Sequence, residues 1–243
     1  MVDGVRALRV DGLVNARDLG GLRRRDGSTT PTGVFYRSEN LDWVTPVGWR
    51  AAYNAGIRTV VDLRQPWERE RDTERRPRWL TSVHVDLDGL ADNPGFWAGY
   101  WDNGLVATAI YYLPHLTALP DRSVQALSAI VNAPDGGVLF HCMGGRDRTG
   151  LIALLLLAAI DTEPDAIVDD YLDTVRLGDL RAASANRNND EPAMEALCQR
   201  HGTTTEGAFR TAVDKLDLAR VLDDGGMTTA DRESLRTWRG HVL

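Results

Sequence analysis

Residues 138–150 read Val-Leu-Phe-His-Cys-Met-Gly-Gly-Arg-Asp-Arg-Thr-Gly, and an apolar run from Leu151 to Ile160 follows directly. The opening Val138–Phe140, preceded by Gly136 and Gly137, has the length and the bounds of a short buried strand. From Thr149 to Ile160 the chain is apolar nearly all round, which predicts the central buried helix. Between them lies a tight loop holding Cys142, Gly144, Gly145, Arg146 and Arg148. Strand, glycine loop and helix N-terminus in succession make an anion site. The loop N–H groups converge, and the positive end of the helix dipole points at the same spot.

Cys142 stands at the base of that loop, and Arg148 follows it after five residues. The charge favoured in such a field is a thiolate, and a thiolate beside an oxyanion cradle is a nucleophile. Arg148 has a planar fork able to hold two oxygens of a transferring phosphoryl group. The bland alternative makes Cys142 a buried small hydrophobe and the arginines solvated. Against it, His141, Cys142, Gly145, Arg148 and Thr149 all stand at the offsets this chemistry requires.

The pattern His-Cys-x5-Arg-Thr over 141–149 resembles the signature of the cysteine-dependent protein tyrosine phosphatase superfamily. The fuller form, His-Cys-x-x-Gly-(Lys/Arg)-Asp-Arg-Thr-Gly, is similar to a bacterial branch with broad action on phosphotyrosine and phosphoinositides. Asn15-Ala-Arg-Asp-Leu-Gly-Gly21 resembles a second motif of that branch, and Asp62-Leu-Arg-Gln-Pro-Trp-Glu68 a third. Arg37-Ser38 with Leu41, and Asp170-Tyr-Leu172, match the branch pattern too.

The resemblance implies an α/β fold, a mostly parallel sheet of about four to five strands flanked by helices. It implies a phosphoric monoester hydrolase working through a cysteinyl phosphate, with no cofactor and no metal. Cys142 is then the nucleophile. Arg148 and the backbone N–H groups of Met143, Gly144, Gly145, Arg146, Asp147 and Arg148 bind the phosphoryl oxygens. Asp147 is the expected general acid and Asp62 its rival. His141, Thr149, Asp62, Arg64, Asn15, Arg17 and Asp18 form the expected supporting set. The branch usually carries lysine at position 146, linked to phosphoinositide recognition; Arg146 keeps the charge and changes the geometry.

Taken alone, 15–21 is a surface turn, and Arg64 with Glu68 is an ion pair ordering a loop. Tyr171 is expected to pack beneath the loop helix. The rest of the chain predicts strands at 34–38, 57–63 and 82–87, with a short strand or extended arm around 8–14. Thr45-Pro46 starts a helix that ends before Gly56. Helices are expected at 105–119, divided or kinked at Pro114, and at 121–133, with Asp121 as N-cap. Further helices follow Thr162, Thr203 and Thr228, and one holds Cys198 near 193–200. Residues 68–78 read as a solvated face. Two segments could wall or cover the cleft: the aromatic-rich 89–112 and the polar 176–190.

At 243 residues, 43% of them hydrophobic, the chain suits one phosphatase domain over its whole length. The net charge of −7 argues against nucleic acid. Of the 28 basic residues only Lys215 is a lysine, a bias expected of the source genome. A nucleophilic Cys142 implies a reducing compartment. No apolar N-terminal run suits a signal peptide, and 151–160 is too short to span a bilayer. Cytoplasmic location, without stable membrane insertion, is expected; signal-independent export stays open. The five histidines show no metal-ligand spacing. Three functions remain in play: a protein-tyrosine phosphatase, possibly of dual specificity; the same chemistry on a small phosphorylated metabolite; and a non-catalytic phosphate-binding module.

Overall fold

A computed structural model describes residues 6–70, 72 and 76–242. Its sheet has five strands: β1 (Arg17–Asp18), β2 (Phe35–Ser38), β3 (Ile57–Asp62), β4 (Thr81–His84) and β5 (Gly137–His141). They lie in the order β1-β2-β5-β3-β4, with β1 antiparallel to β2 and every other pair parallel. The last strand in sequence is thus the middle strand of the sheet. That explains why its residues are all buried, with Val138 to Phe140 apolar in a row, as a strand covered on both faces must be.

Side chains alternate between two cores. Phe35, Val61, Val138 and Phe140 face the larger one, while Tyr36, Val60 and Leu139 face a smaller one. The smaller core is closed by α1 (Pro46–Asn54), capped by Thr45, whose hydroxyl accepts from the Gly48 N–H. After β3 and a short α2 (Pro66–Arg69), the chain passes through β4 to α3 (Pro94–Trp97). Two 3-10 turns (Leu105–Ala107 and Ala109–Tyr111) precede α4 (Tyr112–Ala118) and α5 (Pro120–Val131).

Beyond β5 come α6 (Asp147–Ala158), α7 (Pro164–Arg176), α8 (Gly178–Ser184), α9 (Glu191–Arg200), α10 (Thr205–Lys215), α11 (Leu218–Asp224) and α12 (Thr229–Arg236). Every residue of α6 from Thr149 to Leu157 is buried. Gly150 makes its close approach possible: a Cβ there would lie 2.7 Å from the Tyr112 hydroxyl and 3.1 Å from the Tyr171 ring. Among the described residues no helix is long and apolar enough to cross a membrane.

Several boundaries differ from expectation. The N-terminal strand is the two-residue β1, bridged by Ala7, and not the 8–14 arm. The helix expected from 105 breaks at Thr108, whose extended backbone (φ −138°, ψ 159°) caps a second turn; Pro114 sits harmlessly in the first turn of α4. Asp121 and Thr162 lose their cap positions to Leu119 and Glu163, because Pro120 and Pro164 take the first helical positions. Thr204, one residue later than expected, caps α10. Of the expected solvated face, residues 71 and 73–75 lie outside the described residues.

Candidate active site

The parallel registers pair Ser38 with His141 and Asp62 with His141, so three strand ends deliver residues to one edge of the sheet. Ligand sites of open α/β sheets form beyond such carboxyl ends. The loop 142–146 leaves β5 there and feeds α6. Gly145 has φ +65°, and a Cβ on it would lie 2.5 Å from the Ser38 carbonyl carbon. Only glycine allows that turn to nest against β2. Among the described residues, no backbone N–H from Met143 to Arg148 donates to a protein acceptor. Unspent donors grouped at the start of a buried helix point to an anion as their partner.

Cys142 is buried at the base of this loop, and the Thr149 hydroxyl donates to its Sγ at 3.1 Å. That bond favours a negative sulfur. His141 is fully buried, with Nδ1 3.1 Å from the Cys142 carbonyl and Nε2 3.9 Å from Asp62 Oδ1. Burial pushes its imidazole down to about 4, against the pull of Asp62, so it sits neutral behind the cysteine.

Arg148 leans on two carboxylates. Its Nη2 donates to Glu68 Oε1 at 2.8 Å, and its Nη1 lies 3.3 Å from Asp88 Oδ2. Glu68 therefore does not pair with Arg64 as the spacing suggested. Arg64 turns back to Asp62 (2.8 Å) and across to Asp72 (3.0 Å). Burial works to raise the pKa of both carboxyls; for Glu68 the Arg148 bonds outweigh it and hold the group low, whereas for Asp88 burial prevails. Gln65 also bonds Asp88, at 2.9 Å. The other Asp88 oxygen is buried without a hydrogen-bond partner among the described residues.

Asp147 and Asp62 are set in different surroundings. Asp147 lines the cleft, and its Oδ1 accepts from Arg146 at 2.7 Å. Asp62 is buried and bound by Arg64 and Arg69. Burial alone would raise its pKa, but the bonds from Arg64 hold it well below the usual carboxylate range. A carboxylate so strongly kept ionised is a poor proton donor, and the geometry makes it a brace for the β3 turn.

The loop is braced from below. Asn15 Nδ2 donates to the carbonyls of Gly144 (3.3 Å) and Gly145 (3.4 Å), and Arg37 Nη2 donates to the latter at 2.8 Å. Arg17 Nε and Arg37 Nη1 both bind Asp170 on α7, at 2.9 and 2.6 Å, and Arg6 joins them at 2.9 Å. Burial pushes Asp170 up, but Arg17, Arg37 and Arg6 together hold it far below the carboxylate range. Asp18, by contrast, faces away: it accepts from the N–H groups of Gly20 and Gly33 and closes the 20–33 hairpin. Tyr171 stacks on Phe209 at 4.0 Å, packing under α6 as expected.

Sequence reasoning missed Glu68, Asp88 and Asp170 as partners of the loop, and Trp43 as a wall. Arg181, Ser184, Ala185 and Arg187 from one expected cover segment line the cleft, as do Trp101, Val106 and Ala107 from the other. The cleft has a volume of about 410 Å³ above Cys142. It is walled by Trp43, Trp101, Met143 and Met194, with Trp43 69% exposed at the rim.

The chain is similar to known proteins along nearly its whole length. The model of the tyrosine phosphatase family matches residues 8–238. A Cupriavidus necator protein bearing a tyrosine-protein phosphatase name is 31% identical over 259 aligned residues, covering 100% of this chain and 90% of the relative. The triple specificity protein phosphatase PtpB of Mycobacterium tuberculosis is 27% identical, over 84% of this chain and 87% of its own. A tyrosine-protein phosphatase of Nostoc commune is 26% identical over 58% of this chain and 48% of its own. With a cysteine, an arginine and unspent amides gathered at one helix start, the chain belongs to the tyrosine phosphatase family and is a phosphoric monoester hydrolase of that type.

Proposed function

We propose that the protein dephosphorylates phosphotyrosine in proteins through a cysteinyl phosphate formed on Cys142. The observation that carries this reading is the Cys142 sulfur at the floor of the cleft, bonded by Thr149 and ringed by unspent loop amides. Sγ attacks phosphorus while the aryl P–O bond breaks, and Asp147 gives its proton to the departing oxygen. Water then attacks phosphorus, Asp147 takes a proton from it, and Sγ leaves as the thiolate that Thr149 stabilises. Arg148 and the amides of 143–148 hold the three equatorial oxygens throughout. Asn15, Arg17, Arg37 and Asp170 keep the loop in that shape.

Aromatic and thioether walls suit a phenyl ring, which supports tyrosine as the phosphate carrier. A nucleophile that must stay a thiol fits a reducing, cytoplasmic setting. We take the chain as one phosphatase domain, since the family match extends across all five strands.

The test is rapid quench with a phosphotyrosyl peptide, followed by the same peptide's phosphoseryl form, a phosphoinositide and a nucleoside monophosphate. Wild type is expected to yield a trapped phosphocysteine, more labile in mild acid than in alkali, and to prefer the phosphotyrosyl peptide. Cys142→Ser is expected to bind that peptide and not to turn it over. Retained turnover in that variant would remove the nucleophile; a stronger preference for a nucleotide would replace the substrate.

A further inference from the structure

Arg146 follows the phosphate loop's two glycines, yet its guanidinium is buried among protein groups. It is 2% exposed. Nη1 donates to Asp147 Oδ1 at 2.7 Å and to the Ala107 carbonyl at 2.7 Å. Nε donates to both carboxylate oxygens of Glu191, at 2.9 and 3.1 Å. Glu191 opens α9 and is itself buried. Its Oε1 also accepts from Arg181 of α8 at 2.8 Å, and Arg181 Nη1 reaches the Thr174 carbonyl of α7 at 3.2 Å.

Arg146, Arg181 and Glu191 thus form one buried set, and Asp147, 21% exposed, joins it at the cleft wall. It runs from the covering helix α8 through Glu191 and Arg146 to the carboxylate of Asp147. A buried set of this kind loses its balance when one member goes, because the remaining charges have no substitute partner.

We propose that Glu191 is a positioning residue for proton transfer: it aims Arg146, and Arg146 in turn fixes Asp147 over the scissile ester. This rests on the reading of Asp147 as the acid. With Oδ1 held by Arg146, the rotamer of the carboxyl is set, and Oδ2 remains outside that bond to carry the proton to the leaving oxygen. Arg181 brings α8 into the same set, so the segment that covers the cleft and the group that delivers the proton are seated together. Residues 178–191 therefore do more than wall the cleft.

The test compares Glu191→Gln and Asp147→Asn with wild type on a series of aryl phosphates, from p-nitrophenyl to phenyl phosphate. A phenolate that leaves unaided needs no acid; phenolate itself does. Glu191→Gln is expected to slow phenyl phosphate on the order of tenfold and p-nitrophenyl phosphate by less than about twofold, since acid catalysis is worth roughly 10²–10⁴ and small misplacements forfeit part of it. Asp147→Asn is expected to show the same trend, more steeply. A second variant, Arg181→Gln, removes the other support of Glu191 and is expected to move the series in the same direction. Equal slowing of every ester by Glu191→Gln, or none, would overturn the positioning role while Asp147→Asn still steepened the series. Were Asp147→Asn itself to leave the series flat, the acid reading would fall and this inference with it. Cys142→Ser, silent on all the esters, keeps either failure separate from the nucleophile.

Discussion

Asp170→Asn tests the support beneath the phosphate loop. The carboxylate of Asp170 is 1% exposed and faces Arg17 and Arg37, both equally buried, as well as Arg6. Arg6 keeps a second carboxylate, Asp173, at 3.0 Å. Among the described residues Arg17 and Arg37 have no other anion, so the substitution leaves two facing buried guanidinium groups without a counter-charge. Breaking such a pair typically costs about 3–5 kcal/mol. For a chain of this size each kcal/mol moves Tm by roughly 2–4 °C, giving a fall of about 6–20 °C.

The sign with pH follows from the depressed pKa of Asp170. Its contribution is complete above the unfolded carboxylate value and is lost as pH falls through the much lower folded one. The deficit of the variant is therefore constant between pH 5 and 8, on the scale set by an unfolded pKa of about 4. Arg37 also donates to the Gly145 carbonyl, so kcat should fall along with Tm. Calorimetry and urea melts across that pH range, with turnover on the same samples, read both effects. A variant melting within about 2 °C of wild type would refute the reasoning, because the charges would then be compensated elsewhere.

Two further outcomes are expected. Trp43→Ala, at a residue 69% exposed on the cleft rim, should leave Tm nearly unchanged. It should raise KM for aryl phosphates roughly 2- to 10-fold, the worth of one aromatic contact, and spare alkyl phosphates; equal effects on both would remove Trp43 from ring recognition. His115 is buried, and burial pushes its imidazole down to about 4. The unfolded chain therefore binds a proton that the fold refuses as pH falls from about 6.5 to 4. Relative to His115→Gln, wild type should lose roughly 1.4 kcal/mol of stability per pH unit over that window, and nothing above it. Parallel stability curves for the two proteins would contradict this.

The strand–loop–helix of 137–158 was legible because it is contiguous and each part has its own signal: an apolar run, glycines, then unbroken hydrophobicity. The interior of the sheet was legible for the same reason. What stayed hidden depends on contacts distant in sequence. β1 is two residues long and exists because Arg17 and Asp18 pair with Arg37 and Tyr36. Asp170 lies 153 positions from Arg17, and although Asp170-Tyr-Leu172 matches the branch pattern, nothing local says which groups it faces. Glu68 misled because four-residue spacing suggests an ion pair with Arg64 only on a continuous helix, and α2 begins at Pro66. Trp43 sits on a loop, where periodicity is silent.

Arg148 is already matched to Glu68 and Asp88 before any phosphate arrives. On the proposed reading of Arg148 as a phosphate ligand, an incoming ester would trade places with a carboxylate, at least in part, and binding would be an exchange of anions in place of a simple capture. A monoanion gains little from such a trade, while a phosphoryl dianion gains more. On the same reading the carboxylates would reclaim the guanidinium once inorganic phosphate forms, and its departure is expected to be faster for it. Turnover is thus favoured over tight retention by the very groups that hold the arginine straight.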